Sequence, residues 1–145
     1  MASVRNCNLP DDLYFHVDGN VWARLEADGT ITLGMTSYAC ALAGQLVAAT
    51  PKKIGKQIEQ NKTVFTVESG KWVGPVKAPV SGELIEINEA VSVKPGLVNE
   101  DPYGAGWMAK IKPADWESES ASLVSGAAIS PAFEGKMNAD GLGGC

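Results

Sequence analysis

The sequence predicts a mainly β protein built from two antiparallel sheets with one short core helix. Sixteen Gly and eight Pro in 145 residues indicate many turns, which favours short strands over long helices. Asp28-Gly29 separates the segments 21–26 and 30–35, and Asp-Gly accepts the positive φ angles of a two-residue hairpin turn. Apolar residues alternate with Thr or Gly in the second segment, which predicts a strand with one buried face.

The single core helix is predicted next to this hairpin. Thr36 can cap a short helix over residues 37–43 that stops at Gly44. Near the other end of the chain, Ser130-Pro131 is expected to terminate a short helical element. We expect the last ten residues, rich in Gly, Asn and Asp, to be mobile.

Lys71 lies in the middle of a second predicted hairpin. The β-branched and aromatic run 63–67 precedes it, and another extended segment starts at Pro75. Gly70 and Gly74 bracket the lysine and are expected to supply the backbone freedom of the turn. The pattern predicts an exposed lysine at a fixed point, which is where a chain places a lysine to be modified. A solvated lysine at a loop tip has the same local pattern.

Composition and charge exclude several classes of function. A net charge of −5 argues against a nucleic-acid partner, which requires a basic face, and favours partners with basic docking surfaces. No apolar run is long enough to cross a membrane. The N-terminus has no basic opening followed by an apolar block, so we expect a cytoplasmic location and no membrane partner.

The histidine and the cysteines predict no catalytic chemistry. His16 is the only histidine, and its surroundings suggest no nucleophilic system, so we predict no catalytic residues and a protein that is not an enzyme. No pair among Cys7, Cys40 and Cys145 has metal-ligand spacing, and we predict no metal site. An odd number of cysteines in a chain without an export signal predicts reduced thiols rather than disulfides. Cys40 is expected to be buried, whereas Cys145 is either a redox-active thiol on a flexible tail or incidental.

Three segments together resemble the lipoyl-carrying H protein of the glycine cleavage system. They are Val67-Glu68-Ser69-Gly70-Lys71, Ala78-Pro79-Val80-Ser81-Gly82-Glu83 and Leu97-Val98-Asn99-Glu100-Asp101-Pro102-Tyr103-Gly104-Ala105-Gly106-Trp107. The likeness runs from about residue 13 to residue 112. In that family the lysine three residues after the motif glutamate carries lipoic acid in amide linkage. The resemblance therefore implies covalent lipoate on Lys71, and not on the neighbouring Lys62 or Lys77.

The resemblance also implies a fold, the barrel-sandwich hybrid of lipoyl and biotinyl domains with the lysine on a hairpin tip. A Gly, polar, Leu, β-branched pattern occurs at 44–47 and again at 82–85, as two related halves would produce. Such halves would place Lys71 on the far side from the chain ends. On this interpretation residues 1–116 are the lipoyl-carrier domain, and residues 117–145 are a C-terminal helical segment with a mobile tail.

Two departures from the H-protein pattern suggest a different cargo. Gly70 and Trp72 flank the lysine where the family typically has Val and Ala, and Trp72 could either pack on the arm or a partner or fold back over the hairpin. The family's His-Glu-Trp is replaced by Asn20-Val21-Trp22, which removes an acid that could hold an aminomethyl cargo. These features resemble the lipoate-binding proteins of the heterodisulfide-reductase-like sulfur oxidation pathway.

The leading hypothesis is therefore a carrier whose lipoyl arm on Lys71 shuttles bound sulfur between enzymes of that pathway. The implied partners are a lipoate ligase or lipoyl transferase, a heterodisulfide-reductase-like complex and dihydrolipoamide dehydrogenase. A true glycine-cleavage H protein carrying an aminomethyl group is the main alternative. A biotinyl carrier and an unmodified interaction module are the others.

Overall fold

The computed structural model describes residues 2–141 and 143–145. Met1 and Leu142 lie outside the described residues, and so does the part of the mobile-tail prediction that concerns Leu142. Short strands dominate the described chain, in agreement with the predicted class. In chain order the strands are β1 Ala2–Val4, β2 Cys7–Leu9, β3 Tyr14–His16, β4 Val21–Leu25, β5 Ile31–Met35, β6 Leu46–Pro51, β7 Gln57–Ile58, β8 Thr63–Ser69, β9 Val73–Lys77, β10 Gly82–Ile87 and β11 Ala109–Pro113.

The helices are short except for the last. They are α1 Ser37–Ala43, α2 Glu89–Val93, α3 Leu97–Glu100, α4 Trp116–Glu119 and α5 Ile129–Asp140, with 3-10 turns at Ser120–Ser122 and Gly126–Ala128. The α1 helix has the predicted bounds and the predicted cap, because the Thr36 side chain accepts a hydrogen bond from the Ala39 amide and Gly44 ends the helix at φ 79°. The prediction that α1 is the only core helix is wrong. Val91 of α2 and Val98 of α3 are fully buried in the main core.

The strands form antiparallel sheets, as predicted. A six-stranded sheet has the order β3-β4-β5-β11-β10-β7, and a three-stranded sheet has the order β6-β8-β9. The predicted hairpin at Asp28-Gly29 joins β4 to β5. Its loop has three residues, 27–29, rather than the predicted two, because the Glu26 N–H donates to the Thr30 carbonyl and only Gly29 of the pair has a positive φ. The sequence did not indicate the separate two-stranded hairpin of β1 and β2, whose turn contains the positive-φ residues Arg5 and Asn6.

Two apolar clusters explain why β5 is buried on both faces rather than on one. Ile31, Leu33 and Met35 point into the main cluster, as predicted. The opposite face is also closed, because a Cβ at Gly34 would lie 2.8 Å from Nε1 of Trp22 on the neighbouring strand. Trp22 belongs to a second cluster, which packs under α5. The six-stranded sheet therefore carries apolar side chains on both faces.

The C-terminal region differs most from the prediction. Pro131 does not end a helix but lies in the first turn of α5, where a missing N–H costs no intrahelical bond. Three α5 side chains are fully buried in the second cluster: Ile129, Phe133 and Met137. The helix thus supplies a substantial part of that cluster and continues to Asp140.

The chain end is attached to the N-terminal hairpin, so the predicted mobile tail is wrong for the described residues. Cys145 forms a disulfide with Cys7, and its backbone N–H donates to the Arg5 carbonyl at 2.9 Å. Cys40 is the free cysteine. The prediction of reduced thiols is therefore wrong for Cys7 and Cys145, because the fold brings together residues 138 positions apart.

Candidate functional site

Lys71 lies at the tip of the β8–β9 hairpin, as predicted. The Ser69 N–H donates to the Trp72 carbonyl at 2.8 Å, and Glu68 pairs with Val73. Gly70 and Lys71 are therefore the two central residues of the turn, and both are exposed. The Lys71 N–H also donates to Ser69 Oγ at 3.3 Å. The hairpin holds the lysine at a defined point while leaving its side chain accessible.

The two glycines of the tip act differently from the prediction. Neither Gly70 nor Gly74 has a positive φ, so the turn does not require their left-handed freedom. A Cβ at Gly70 would meet nothing within 4 Å, whereas one at Gly74 would lie 2.1 Å from Cζ2 of Trp72. Trp72 therefore folds back over the hairpin at Gly74, which was one of the two interpretations. The residue nevertheless remains 39% exposed.

The Lys71 side chain lies beside the C-terminal end of α1. A Cβ at Gly44 would be 3.3 Å from Lys71 Cε and 4.0 Å from its Nζ. Gly44 also needs to be glycine for its positive φ, so both its backbone and its side-chain space are restricted. Sequence reasoning identified Gly44 as a helix stop but did not place it against Lys71, since residues 27 positions apart carry no local signal of contact.

The Asn99 side chain fixes the backbone on which Lys71 rests. Its Nδ2 donates to the Gly44 carbonyl at 2.9 Å, and its Oδ1 accepts from the Leu46 N–H at 2.9 Å. This amide thus joins α3 to the turn between α1 and β6. Asn99 of the third family motif therefore has a structural role, and it positions the surface beside the lysine.

The Tyr103 side chain binds the other end of α1. Its hydroxyl oxygen accepts a hydrogen bond from the Ser37 N–H at 2.9 Å and donates to the Asn8 carbonyl. Burial raises the pKa of this phenol, so the hydroxyl stays protonated and retains its donor. Asn99 and Tyr103 therefore hold α1 at both ends.

The second family motif is also structural. A Cβ at Gly82 would lie 2.1 Å from the Lys112 carbonyl oxygen, so only glycine allows the close approach of β10 and β11. Ser81 binds Glu119 of α4 through its backbone N–H and its hydroxyl, both at 2.8 Å. This motif connects the sheet to the C-terminal segment and does not approach the lysine.

A cavity of about 540 Å³ lies beside the hairpin tip. It is bounded by α1, by β9 with Trp72, by the loop before β4 and by α5. Its lining residues are Asp18, Gly19, Asn20, Met35, Ala39, Leu42, Ala43, Trp72, Pro75, Val76, Lys77, Lys136 and Asp140. Trp72 of the tip and Lys136 and Asp140 of α5 line the same cavity, so the C-terminal helix approaches the hairpin tip. No local sequence pattern predicts this convergence.

Asn20 is the unusual residue of this cavity. Asn20 has a positive φ of 57° and is only 8% exposed. Within the described part of the chain, Asn20 Oδ1 is a buried acceptor without a hydrogen-bond partner. A buried acceptor left unpaired is destabilising, so a donor from a bound group would satisfy it.

The other candidate residues take no part at the tip. His16 Nδ1 accepts from the Gly19 N–H at 2.9 Å, and its Nε2 bonds Asn61 Oδ1, so both ring nitrogens are engaged. Burial raises the pKa of the Cys40 thiol to about 12, which keeps it in the unreactive thiol form. Lys62 and Lys77 lie just before β8 and at the end of β9, away from the turn centre.

Comparison with known proteins identifies the family. The family model described as "Glycine cleavage H-protein" matches residues 13–135. The chain belongs to the glycine cleavage H-protein family. The match continues past residue 112, where the likeness recognised from the sequence ends, and includes the first turns of α5.

Relatives and a solved structure agree with this assignment. The chain is 52% identical over 128 residues to "Glycine cleavage system H protein 5" of Aquifex aeolicus, with 86% of each chain covered. It is 44% identical over 136 residues to "Probable glycine cleavage system H protein 2" of Sulfurisphaera tokodaii, with 92% of each covered. A crystal structure of a glycine cleavage system H protein from Mycobacterium marinum superimposes with a TM-score of 0.75 at 27% identity, covering 88% of this chain and 99% of that one. The predicted H-protein-type fold is thereby confirmed.

Proposed function

We propose that this H-protein family member is a lipoyl carrier, with lipoate in amide linkage to Lys71. The observation that carries the proposal is the exposed Lys71 at the centre of a two-residue turn, three residues after Glu68, in a chain of this family. A lipoate ligase or lipoyl transferase would recognise the position of Lys71 on this hairpin. The chain then acts as a substrate passed among enzymes and is not itself an enzyme.

The arm supplies the chemistry that the side chains do not. Amide formation removes the ammonium charge of Lys71 and adds a flexible chain ending in a cyclic disulfide. Tethering raises the effective concentration of that disulfide at a docked enzyme. Opening of the ring by a thiolate or a reduced substrate leaves a dithiol, and a dihydrolipoamide dehydrogenase would close it again.

The cargo best supported is an aminomethyl group. The relatives' names are those of glycine cleavage H proteins. These names favour an aminomethyl cargo over the sulfur cargo of the leading hypothesis from the sequence. The cavity also offers acidic residues in place of the family glutamate that Val21 replaces, because Asp18 and Asp140 line it. The unpaired Asn20 Oδ1 is an acceptor for an amine N–H. An amine cargo would therefore have both charge and hydrogen-bond partners.

Sulfur bound to the arm is the second candidate, favoured by two observations. Lys77 and Lys136 also line the cavity, and their ammonium groups suit an anionic persulfide. The tip residues Gly70 and Trp72 separate this hairpin from the usual H-protein tip. In this reading a heterodisulfide-reductase-like complex would be the partner.

Two measurements test the proposal. The chain is co-expressed with a lipoate ligase, and its intact mass and peptide map are recorded beside the Lys71→Arg and Lys62→Arg variants. We expect a lipoyl addition on the unaltered chain and on Lys62→Arg but none on Lys71→Arg, since a guanidinium is not a competent amine nucleophile. Addition at another lysine, or none on the unaltered chain, would refute the carrier proposal.

The second measurement separates the cargoes. The lipoylated chain is incubated with glycine and glycine decarboxylase, and the arm mass is followed. Loading of an aminomethyl group, weakened by Asp18→Asn, supports the glycine-cleavage assignment. A lipoylated chain that stays unloaded, but accepts sulfur from a persulfide donor, supports the second candidate.

A further inference from the structure

The Cys7–Cys145 disulfide has one buried and one accessible end. Cys7 of β2 is fully buried, while Cys145 is exposed and its Cα lies 5.0 Å from that of Cys7. Besides the disulfide bond, Cys145 is held by a hydrogen bond from its backbone N–H to the Arg5 carbonyl. An incoming thiolate can therefore approach this disulfide from the Cys145 side.

The disulfide and the lysine side chain lie at opposite ends of one short helix. Cys145 Sγ is 3.6 Å from the carbonyl oxygen of Ser37, the first residue of α1. Lys71 Cε packs against Gly44, the residue that ends α1. Seven helical residues span about 10 Å. That length is the scale of the separation between the two sites.

The cavity beside the tip runs along one face of this helix. On one side it is lined by Ala39, Leu42 and Ala43, which form one face of α1. At the tip it is bounded by Trp72, and at the other side by Lys136 and Asp140 of α5. Asp140 is five residues before Cys145, and its carboxylate accepts a hydrogen bond from Tyr38 Oη on α1. The cavity thus extends from the tip towards the C-terminal segment.

We propose that the reduced arm on Lys71 exchanges electrons with the Cys7–Cys145 disulfide of the same chain. This inference rests on the proposed function, since it requires lipoate on Lys71. Seven bonds separate Nζ from the nearer lipoyl sulfur, which gives a reach of roughly 9 Å in an extended chain. The five bonds from Cα to Nζ of the lysine side chain add roughly 6 Å, for a combined reach of roughly 15 Å. The arm and the lysine side chain together are therefore longer than α1.

The exchange balances as two thiol–disulfide steps. One arm thiolate attacks Cys145 Sγ, a bond forms between these two sulfurs, and the Cys7–Cys145 bond breaks as Cys7 leaves with the electron pair and takes a proton. The second arm sulfur, once deprotonated, attacks the first arm sulfur and closes the five-membered ring. Cys145 then leaves with its electron pair and takes a proton. The arm loses two electrons and two protons, and the protein disulfide gains them.

Cys40 does not compete in this exchange. Burial raises its pKa to about 12, and its Sγ–H donates to the Val98 carbonyl at 3.5 Å. A protonated thiol is a poor nucleophile. The exchange therefore involves four sulfurs, two on the arm and two in the protein.

The test counts the electrons that the full-length lipoylated chain accepts. Under anaerobic conditions the chain is mixed with a catalytic amount of dihydrolipoamide dehydrogenase and excess NADH, and the NADH consumed per chain is measured by absorbance. The thiols are then alkylated and the peptides are mapped. Lipoylated Cys145→Ser and unlipoylated Lys71→Arg are the matched controls.

We expect the lipoylated chain to consume twice as much NADH as lipoylated Cys145→Ser and to show alkylation of both Cys7 and Cys145. Lys71→Arg should consume none and retain its disulfide. The second equivalent should be consumed at a rate independent of chain concentration, because the reaction is intramolecular. A mixture of lipoylated Cys145→Ser with Lys71→Arg should react more slowly and in proportion to concentration.

Three results would overturn the inference. A lipoylated chain that consumes a single equivalent and keeps Cys7 linked to Cys145 refutes the exchange while leaving the carrier function intact. Reduction of the disulfide in Lys71→Arg shows that the dehydrogenase acts on it without the arm. Absence of lipoate on Lys71 by intact mass refutes the carrier function and the exchange together, so the two failures are distinguishable.

Discussion

Replacing Asn99 with alanine should destabilise the fold and loosen the surface beside Lys71. The change removes the hydrogen bonds to the Gly44 carbonyl and to the Leu46 N–H. Leu46 is only 3% exposed, so its N–H cannot readily recover a bond from water. Each bond contributes about 1 kcal/mol net, and an unpaired buried group costs up to about 3 kcal/mol. We expect a loss of about 2 to 4 kcal/mol in the free energy of unfolding.

The assay is urea denaturation followed by tryptophan fluorescence, with the slope m unchanged if only stability is altered. Asn8→Ala is the matched control, because Asn8 is an exposed residue of β2 whose backbone carbonyl, rather than its side chain, binds Tyr103. The control should change stability by less than about 0.5 kcal/mol. An Asn99→Ala loss no larger than that of the control would refute the role assigned to this amide.

The remaining predictions concern the tip, the sheet and the half-buried Cys40 thiol. Gly74→Ala should displace the indole of Trp72 and shift its fluorescence, because the added Cβ would lie 2.1 Å from the ring. In a Trp72→Ala background the same change should leave the fluorescence spectrum and the urea midpoint nearly unchanged. Equal changes in both backgrounds would contradict the packing. Gly82→Ala should cost about 1 to 3 kcal/mol of stability, because its Cβ would meet the Lys112 carbonyl oxygen at 2.1 Å, and an unchanged urea midpoint would rule out that close approach. Cys40, with its pKa raised to about 12, should resist iodoacetamide at pH 8 in the folded chain and react in urea. Because folding raises this pKa, its contribution to stability is present below the unfolded value of about 8.5 and is lost as pH rises towards 12, which denaturation at pH 8 and pH 11 would detect.

Local sequence chemistry predicted the elements whose conformation depends on neighbouring residues. The Asp28-Gly29 turn, the Thr36 cap and the Gly44 stop each occur where they were expected. The same holds for the β8–β9 hairpin that presents Lys71. These features depend on turn propensity, capping and alternation, all of which act over a few residues.

Features that depend on distant contacts were not predictable in this way. Pro131 signalled a helix end, but α5 is stabilised by three side chains buried in the second cluster, and proline is tolerated in its first turn. Gly74 was interpreted as a source of turn flexibility, but its function is to leave room for the ring of Trp72. The disulfide joins opposite ends of the chain. In each case the decisive partner is chosen by tertiary packing.

The empty space around Gly70 has a consequence for how far the hairpin tip can vary. Because a Cβ at this position would meet no atom within 4 Å, a small side chain there would not disturb the core. Trp72 rests on Gly74 of the same hairpin, so the tip can change as a unit while the sheets stay the same. Substitutions at the tip should therefore change the exposed surface around Lys71 with little change in the free energy of unfolding. The exposed surface around Lys71 is thus separable, in energetic terms, from the sheets that fold.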